Sequence, residues 1–519
     1  LRYDFRGGDV IDLLPGDEDA VLMTRSYVPE ATAGSLIEKK LEGLGVDRID
    51  TRSGSAKRIE SPDKLAVDYI SDGQGHVRIM ALQENRTSGY AKGTYKFLYR
   101  PVGKSGWGIL SLYDTRDNSG FYPVAVDPTK NVAYGFEKMN GRDALVTVAL
   151  DPGLAKTVIF SRPDVDVSAL IRVGRDRRVV GASYVTDHRQ AVYFDEQAKA
   201  LVSSLGKALG GKAINISDMS SDGNRVLIWA GSDVDPGQYY LFDRAARRLS
   251  PVMPDRPELA GRTLAVMQSI QYQAGDGTMI PAYLTLPPGK ETAKGLPAIV
   301  LPHGGPEARD EWGFDWLVQF FAARGYAVLQ PNFRGSAGYG ANWFGENGFQ
   351  NWRTAISDVN DAGRWLIAEG IADASKLSTV GWSYGGYAAL QSQVLDPSLY
   401  KAVVAIAPVT DLRRLREEDR EFSSYSLIAK QLGDGPHLVE GSPTQNVARF
   451  ASPVLIVHGD ADQNVNVEQG RRMNEALVKA GKTVEYIEFD DLAHDLDDSA
   501  ARKEMLVRID QFLAASLRN

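Results

Sequence analysis

The two halves of the chain differ in the spacing of their hydrophobic residues. The first half consists of short runs of β-branched and aromatic residues separated by turn residues such as Asp72-Gly73 and Asp222-Gly223. Such runs predict β-strands, and we find no long helical pattern among them. From residue 266 onward, buried apolar runs alternate with amphipathic segments. That alternation predicts a mostly parallel sheet covered by helices on both faces. We therefore expect two domains, 1–265 and 266–519, linked near residues 254–257.

A weak repeat runs through the first domain. Four aspartates each end a strand and begin a polar turn: Asp50, Asp151, Asp195 and Asp243. The last two intervals are 44 and 48 residues, and the first, 101 residues, is about two such units. A period of about 40 to 50 residues made only of strands is typical of a β-propeller blade. An irregular β-sandwich is the alternative. About six units fit before residue 265, so a ring of seven or eight blades would be incomplete at its N-terminus.

The second half predicts alternating strands and helices. The predicted strands are 298–301, 327–330, 377–380, 402–406, 454–457 and 485–489. The predicted helices are 312–324, 353–369, 387–395, 468–480 and 502–517. The order is that of an α/β domain whose active site lies at the carboxyl ends of the strands.

Composition and charge narrow the function. The chain has 519 residues and a formal net charge of −8, which argues against a binder of nucleic-acid phosphates. No apolar run approaches the ~20 residues that span a bilayer. There are no cysteines, which excludes thiolate metal sites and cysteine nucleophiles. We expect no cofactor and no metal. Absence of cysteine does not fix the compartment. We expect a bacterial periplasm or cytoplasm, with the periplasm favoured.

A nucleophile motif stands in the second half. Gly381-Trp382-Ser383-Tyr384-Gly385 follows a predicted strand and precedes a predicted helix. A serine at such a strand-to-helix turn has its hydroxyl exposed above the sheet, at a helix N-terminus. We therefore predict Ser383 as the nucleophile of an α/β-hydrolase domain.

A serine nucleophile needs a base and an acid that fixes the base. In this fold the chain order is serine, acid, histidine, and His494 follows the last predicted strand. His458 directly follows an earlier strand, so we interpret it as structural. The acid should follow the strand 454–457, where Asp460 and Asp462 compete. A calcium loop starting at Asp460 is rejected, because its sixth and twelfth positions are Val465 and Arg471 rather than glycine and glutamate.

The oxyanion needs two backbone N–H donors. The residue after the nucleophile, Tyr384, supplies one. His303-Gly304-Gly305-Pro306 follows the strand 298–301 and is the glycine-rich loop expected there, so Gly305 is predicted as the second donor.

These motifs together resemble the prolyl oligopeptidase family of serine peptidases, in its bacterial acylaminoacyl-peptidase-like and dipeptidyl-peptidase-like branches. The resemblance is strongest over residues 280–517. It also rests on the segments 332–340 (NFRGSAGYG), 407–409 (APV) and 458–465 (HGDADQNV). The resemblance implies that Asp462 rather than Asp460 is the acid. It implies an N-terminal propeller that restricts access to short or unstructured peptides.

The same resemblance implies an S1 pocket lined by Tyr384, Val409, Leu412 and Val465. Leu412 and Leu415 stand where proline-preferring relatives have aromatic residues, which implies an apolar P1 residue rather than a strict proline preference. Glu417 and Glu418 lie in the hydrolase half, so the amine-binding role of the propeller glutamates of dipeptidyl peptidases is not transferred to them.

The predicted function is a serine peptidase that cleaves short peptides through an acyl-enzyme intermediate. The alternatives are an esterase or a specialised isopeptidase of the lasso-peptide type, both using the same triad, and a non-catalytic binding protein. The expected partners are short peptide substrates, without nucleic acid or a membrane span, and an oligomer is compatible with the sequence.

Overall fold

The computed structural model describes residues 7–17, 19–29, 41–85, 91–345, 347–418, 420 and 425–517. The chain divides into two compact units, whose main boundary lies between Asp255 and Arg256. The second unit also includes two short earlier segments, Thr186–Arg189 and Gly231–Pro236.

The first unit is a β-propeller. Its described residues form five antiparallel sheets, each running in chain order. The first is β1 (Gly7–Asp12), β2 (Ala20–Tyr27), β3 (Gly43–Asp50) and β4 (Ala56–Asp63). The second is β5 (Ala66–Ser71), β6 (Val77–Asn85), β7 (Ala91–Tyr99) and β8 (Gly108–Asp114). The third is β9 (Tyr122–Asp127), β10 (Val132–Met139), β11 (Arg142–Ala149) and β12 (Lys156–Phe160). The fourth is β13 (Val167–Val173), β14 (Arg178–Val185) and β15 (Arg189–Tyr193), and the fifth is β16 (Ala213–Met219), β17 (Arg225–Ser232), β18 (Asp235–Asp243) and β19 (Arg248–Pro254). The predicted count of about six units is therefore wrong by one for the described residues.

The repeated aspartates mark the turn after the third strand of a blade. Asp50 accepts hydrogen bonds from the backbone N–H groups of Arg52 and Ser53, and Asp151 accepts one from Gly153. An aspartate that bonds the backbone two or three residues ahead stabilises a tight turn. At Asp50 and Asp151 the repeat in the sequence is thus a repeat of one turn chemistry.

One helix in the first unit was not predicted. In the fourth blade the chain after β15 forms α1 (Glu196–Ala208). Asp195 caps this helix by accepting a hydrogen bond from the N–H of Ala198 at 2.8 Å. Leu201 and Leu205 are buried one turn apart, so the helix packs through one apolar face. The expectation of an all-strand first half is wrong here because the same aspartate signal serves a turn or a helix N-cap.

The second unit is an α/β-hydrolase domain built on one eight-stranded sheet. Its strands are β20 (Met267–Gln273), β21 (Met279–Thr285), β22 (Leu296–Val300), β23 (Ala327–Pro331), β24 (Ala372–Trp382), β25 (Ala402–Ile406), β26 (Val454–Gly459) and β27 (Val484–Phe489). Their order in space is β20-β21-β23-β22-β24-β25-β26-β27. The first two join antiparallel, and β22 to β27 are parallel to one another. The carboxyl ends of the parallel strands therefore meet at one edge.

The helices of the second unit cover both faces of this sheet. They are α2 (Trp316–Ala323), α3 (Ala341–Phe344), α4 (Asn347–Gln350), α5 (Trp352–Ala368), α6 (Tyr384–Leu395), α7 (Leu412–Glu418), α8 (Tyr425–Leu432), α9 (His437–Glu440), α10 (Glu468–Lys479) and α11 (Ser499–Ser516). Alternate residues of β22 enter different cores: Ala298 and Val300 pack with α5 and α6, and Ile299 packs with α2 and α11. A strand buried on both faces is continuously apolar, and β25, with the sequence AVVAI, is buried at every position.

Helix starts differ from the predictions by up to four residues. The second helix begins at Trp316 rather than at 312 because Asp315 caps it, accepting hydrogen bonds from the N–H groups of Leu317 and Val318. No helix in the described part of the chain combines the length and apolar composition needed to cross a bilayer.

Candidate active site

Ser383 lies at a strained turn between β24 and α6. Its φ angle is 60°, in the left-handed region that residues other than glycine rarely adopt. Its N–H donates to the carbonyl of Ile406 at 2.8 Å, which ties the turn to the adjacent strand. A Cβ on Gly381 would lie 2.0 Å from the carbonyl oxygen of Gly385. The motif therefore requires glycine where the strand and the helix approach each other most closely.

The loop after β22 lies against this turn. A Cβ on Gly385 would lie 2.2 Å from the carbonyl oxygen of Pro302, and one on Gly304 would lie 3.7 Å from the Cβ of Ser383. The second glycine of the motif thus leaves room for the glycine-rich loop beside the nucleophile. Gly305 has a φ of 123°, and a Cβ added to it would lie 2.8 Å from the backbone nitrogen of Glu307. Its conformation and its surroundings therefore also exclude a side chain.

Both predicted oxyanion donors lie at this junction. Tyr384 is the first residue of α6, and a first-turn N–H has no acceptor within its own helix. The Gly305 N–H has no acceptor among the described residues. The junction also lies at a helix N-terminus, where the peptide dipoles favour negative charge.

His303 fixes the glycine-rich loop. Its Nδ1 lies 2.7 Å from the carbonyl oxygen of Gly304, and its Nε2 lies 2.7 Å from the hydroxyl of Ser336. Its ring stacks on Phe333 with centroids 4.4 Å apart. Burial lowers the pKa of His303 to about 4, so the ring is neutral at pH 7. A neutral imidazole has a single N–H, and with that proton on Nδ1 it donates to the carbonyl of Gly304.

His494 and Asp462 form a hydrogen-bonded pair. The Nδ1 of His494 lies 2.7 Å from Oδ2 of Asp462, whose side chain is fully buried. The other carboxylate oxygen of Asp462 accepts hydrogen bonds from the backbone N–H groups of Asn464 at 2.8 Å and Val465 at 2.9 Å. Asp462 is thus held by its own loop, and it holds His494 with Nε2 left for the substrate side.

The environment keeps Asp462 ionised. Burial by itself raises the pKa of this carboxyl, but hydrogen bonds from His458, His494 and the N–H of Val465 outweigh it and hold the pKa well below its usual range. His458 is fully buried, and its Nε2 lies 3.0 Å from the carbonyl oxygen of Val465 and 3.3 Å from Asp462. His458 therefore binds the loop that carries the acid, as its interpretation as structural requires.

Asp460 has a different partner. Its Oδ1 accepts the backbone N–H of Asp491 at 2.6 Å, which stabilises the loop leading to His494. That loop is also anchored beside the nucleophile, since the indole Nε1 of Trp382 donates to the carbonyl of His494 at 3.1 Å. The two aspartates that the motif left open thus have separate contacts, and Asp462 is the one that bonds the imidazole.

The four predicted S1 residues lie in one buried cluster. Tyr384, Val409, Leu412 and Val465 all belong to the core that covers this side of the sheet, and Leu415 packs against it. The Tyr384 hydroxyl donates to the carbonyl of Gly348 at 3.0 Å. Each of the four predicted S1 residues is at most 4% exposed. The four predicted S1 side chains are apolar apart from that tyrosine hydroxyl.

Several contacts that shape the site were not predicted. Trp382 lies inside the nucleophile motif, yet nothing in the sequence pairs it with His494. Gln469 and Ser442 bond the loop after β25 from 59 and 30 residues away. Among the described residues, no group of three or more acidic or histidine side chains could hold a metal ion.

Known proteins support this reading of the fold. Residues 312–519 match the prolyl oligopeptidase family. The chain is 27% identical over 489 residues to dipeptidyl aminopeptidase BIII of Pseudoxanthomonas mexicana, and the aligned region covers 91% of this chain and 69% of that protein. It is 26% identical over 426 residues to dipeptidyl peptidase family member 6 of Caenorhabditis elegans, and the aligned region covers 76% of this chain and 57% of that protein. The second unit of the chain is therefore similar to the prolyl oligopeptidase family over residues 312–519.

Solved structures share the two-domain fold. The puromycin-hydrolyzing peptidase of Mycobacterium tuberculosis has a TM-score of 0.73 at 18% identity, with 96% of this chain and 77% of that chain covered. An acylaminoacyl peptidase of Pyrococcus horikoshii has a TM-score of 0.70 at 16% identity, with 97% of this chain and 80% of that chain covered. The predicted fold class, a β-propeller followed by an α/β-hydrolase domain, is confirmed. Members of the family are serine peptidases.

Proposed function

We propose that the protein hydrolyses short peptides, with an apolar residue at P1, through an acyl-enzyme intermediate. The observation that carries the proposal is the hydrogen-bonded pair of Asp462 and His494, at 2.7 Å, in the loops after β26 and β27, at the same edge of the sheet as Ser383 after β24. A serine hydroxyl becomes nucleophilic only when an oriented imidazole accepts its proton.

In the proposed mechanism the oxygen of Ser383 attacks the scissile carbonyl carbon while Nε2 of His494 takes the hydroxyl proton. The carbonyl oxygen becomes an oxyanion that accepts hydrogen bonds from the N–H groups of Gly305 and Tyr384. His494 then donates the proton to the leaving amine, and the C–N bond breaks. A water molecule attacks the acyl-enzyme with the same base, which regenerates Ser383 and releases the acid.

Asp462 acts on the imidazole rather than on the substrate. Its carboxylate accepts the Nδ1 proton of His494, so the lone pair of Nε2 is available as the base. The negative charge also stabilises the imidazolium that forms during attack. The low pKa of Asp462 supports this role, because the carboxylate stays ionised over the whole range in which peptidases work.

The apolar side chains around Tyr384, Val409, Leu412 and Val465 support an apolar P1 residue. Burying one methylene of a substrate in such surroundings contributes about 1 to 3 kcal/mol of discrimination. One relative is named a dipeptidyl aminopeptidase and another an acylamino-acid-releasing enzyme, and the two names imply different N-termini of the substrate. The test therefore includes peptides with free and with acylated N-termini.

The test is a panel of chromogenic peptides varied at P1, each with a free and an acylated N-terminus, and an aryl ester. We expect hydrolysis of apolar P1 peptides and covalent labelling by a fluorophosphonate. Ser383→Ala should lower kcat by about 10⁶-fold with an unchanged circular-dichroism spectrum. Retained peptide hydrolysis by purified Ser383→Ala would refute the proposal, and turnover of the ester alone would favour the esterase alternative.

A further inference from the structure

The loop between β25 and α7, together with the first residue of α7, carries two of the proposed S1 residues, Val409 and Leu412. It begins at Ala407, whose φ of 44° lies in the left-handed region. An alanine keeps such a conformation only where surrounding contacts impose it. The preceding residue, Ile406, accepts the N–H of Ser383 at 2.8 Å, so the loop starts at the nucleophile itself.

Three consecutive N–H groups of this loop are bonded by side chains from distant segments. The Oε1 of Gln469 accepts the N–H of Thr410 at 3.0 Å and that of Asp411 at 2.8 Å. The hydroxyl of Ser442 accepts the N–H of Leu412 at 2.8 Å. Gln469 is 1% exposed and Ser442 is fully buried. These side chains therefore fix the middle of the loop, while its start is fixed by the bond from the N–H of Ala407 to the carbonyl of Val457 in β26.

The other half of the Gln469 amide is also satisfied. Its Nε2 donates to the carbonyl of Asp411 at 3.3 Å and to a carboxylate oxygen of Glu418 at 3.1 Å. Glu418 in turn pairs with Arg414 at 2.7 Å. A buried amide whose oxygen faces two donors and whose nitrogen faces two acceptors has a single favourable orientation. Glu418 thus serves this network.

Gln469 connects the two sides of the proposed pocket. It lies in the first turn of α10, four residues after Val465, which belongs to the loop that bonds Asp462. Its amide reaches the opposite loop, with Val409 and Leu412. Gln469 thus bridges the segment that carries Val465 and the segment that carries Val409 and Leu412, although it lies outside the cluster that these residues form.

We propose that Gln469 is a positioning residue that sets the shape of the S1 pocket and thereby the selectivity for the P1 side chain. The proposal rests on the proposed peptidase function. A role in P1 selectivity is distinct from the stability that any buried, hydrogen-bonded glutamine contributes.

Gln393 provides the matched control. It is fully buried in α6, its Oε1 accepts the N–H groups of Ala451 and Ser452 at 3.3 Å, and its Nε2 donates to the carbonyl of Tyr400 at 3.1 Å. It has the same residue type and the same number of backbone N–H partners, but those partners lie just before β26 and not in the segment that carries Val409 and Leu412. Gln469→Leu and Gln393→Leu therefore remove comparable networks at different places.

The experiment measures kcat/KM for blocked peptides with alanine, leucine or phenylalanine at P1. A displaced pocket wall costs up to about 100-fold, so we expect Gln469→Leu to change the phenylalanine-to-alanine ratio by about tenfold or more. Gln393→Leu should lower Tm and leave that ratio within about twofold, since no methylene-sized change occurs in the pocket. Fluorophosphonate labelling, which uses no P1 side chain, should persist in both variants.

A charge swap supplies the rescue. Gln469→Glu keeps the oxygen that the loop needs but brings a second carboxylate against Glu418, so it should disturb the ratio. Adding Glu418→Gln restores a donor between the two side chains, and the ratio should return toward the wild-type value.

Distinct outcomes would overturn the proposals. An unchanged P1 ratio in an active Gln469→Leu variant, an equal change in Gln393→Leu, or no recovery in the double variant would overturn the role of Gln469 and leave the peptidase function intact. A wild-type protein that cleaves none of the peptides would overturn the function first.

Discussion

Replacing Asp462 by asparagine changes one carboxylate oxygen to an NH₂ group. The substitution therefore tests whether the hydrogen bonds of Asp462 orient His494. One carboxylate oxygen faces two imidazole donors, from His494 and His458, and the other faces the N–H groups of Asn464 and Val465. The NH₂ group of asparagine would meet donors in either orientation. With its oxygen toward the backbone, the amide nitrogen faces Nδ1 of His494 and favours the tautomer protonated on Nε2.

The magnitude follows from this tautomer. An imidazole with its proton on Nε2 cannot accept the proton of Ser383, and the imidazolium loses its counter-charge. In a serine triad that change lowers kcat by about 10⁴-fold, equivalent to about 5.5 kcal/mol of transition-state stabilisation. The four donors around the side chain leave no orientation that avoids the mismatch, so we expect the full effect.

The assay is kcat on the best blocked peptide for wild type, Asp462→Asn and Asp460→Asn. Asp460 is the control because it lies two residues away and its partner is a backbone N–H, not the imidazole. Asp460→Asn should keep kcat within about tenfold, a loss of under 1.4 kcal/mol. If Asp462→Asn retains a tenth of the wild-type kcat, or if Asp460→Asn is the variant that loses activity, the assignment of the acid is wrong.

Two further predictions concern stability. Arg334 bonds the fully buried carboxylate of Asp358, so Arg334→Met should lower the free energy of unfolding in urea by about 3 to 5 kcal/mol. Arg353→Met breaks an exposed pair with Glu440 and should lower it by less than about 1 kcal/mol. Equal losses in the two variants would contradict the argument from burial. Because burial lowers the pKa of His303 from 6.5 to about 4, its contribution is complete above pH 6.5 and is lost as pH falls toward 4. Between pH 7 and 4.5 this loss amounts to about 2 kcal/mol, and His303→Asn should remove it from the pH dependence of unfolding; an unchanged dependence would show that His303 is not the responsible group.

Local sequence signals predicted much of the fold. The change from strand runs to alternating strands and helices located the two domains, because each type of element imposes its own period on apolar residues. The predictions missed where one signal serves two structures. Asp195 was interpreted as another turn aspartate, yet it caps α1, and the weak repeat overestimated the blade count.

The chain by itself determined the chemistry-bearing residue types and their order, because a nucleophile turn, a glycine-rich loop and a terminal histidine are each local in sequence. Only the tertiary structure decided between Asp460 and Asp462 without reference to relatives, since both follow the same strand and differ only in which donor they meet. It also decided the partners of Trp382, Gln469 and Ser442. These are hydrogen bonds between segments 30 to 112 residues apart, and no local period or spacing encodes them. They form only when parallel strands bring their carboxyl ends to one edge of the sheet.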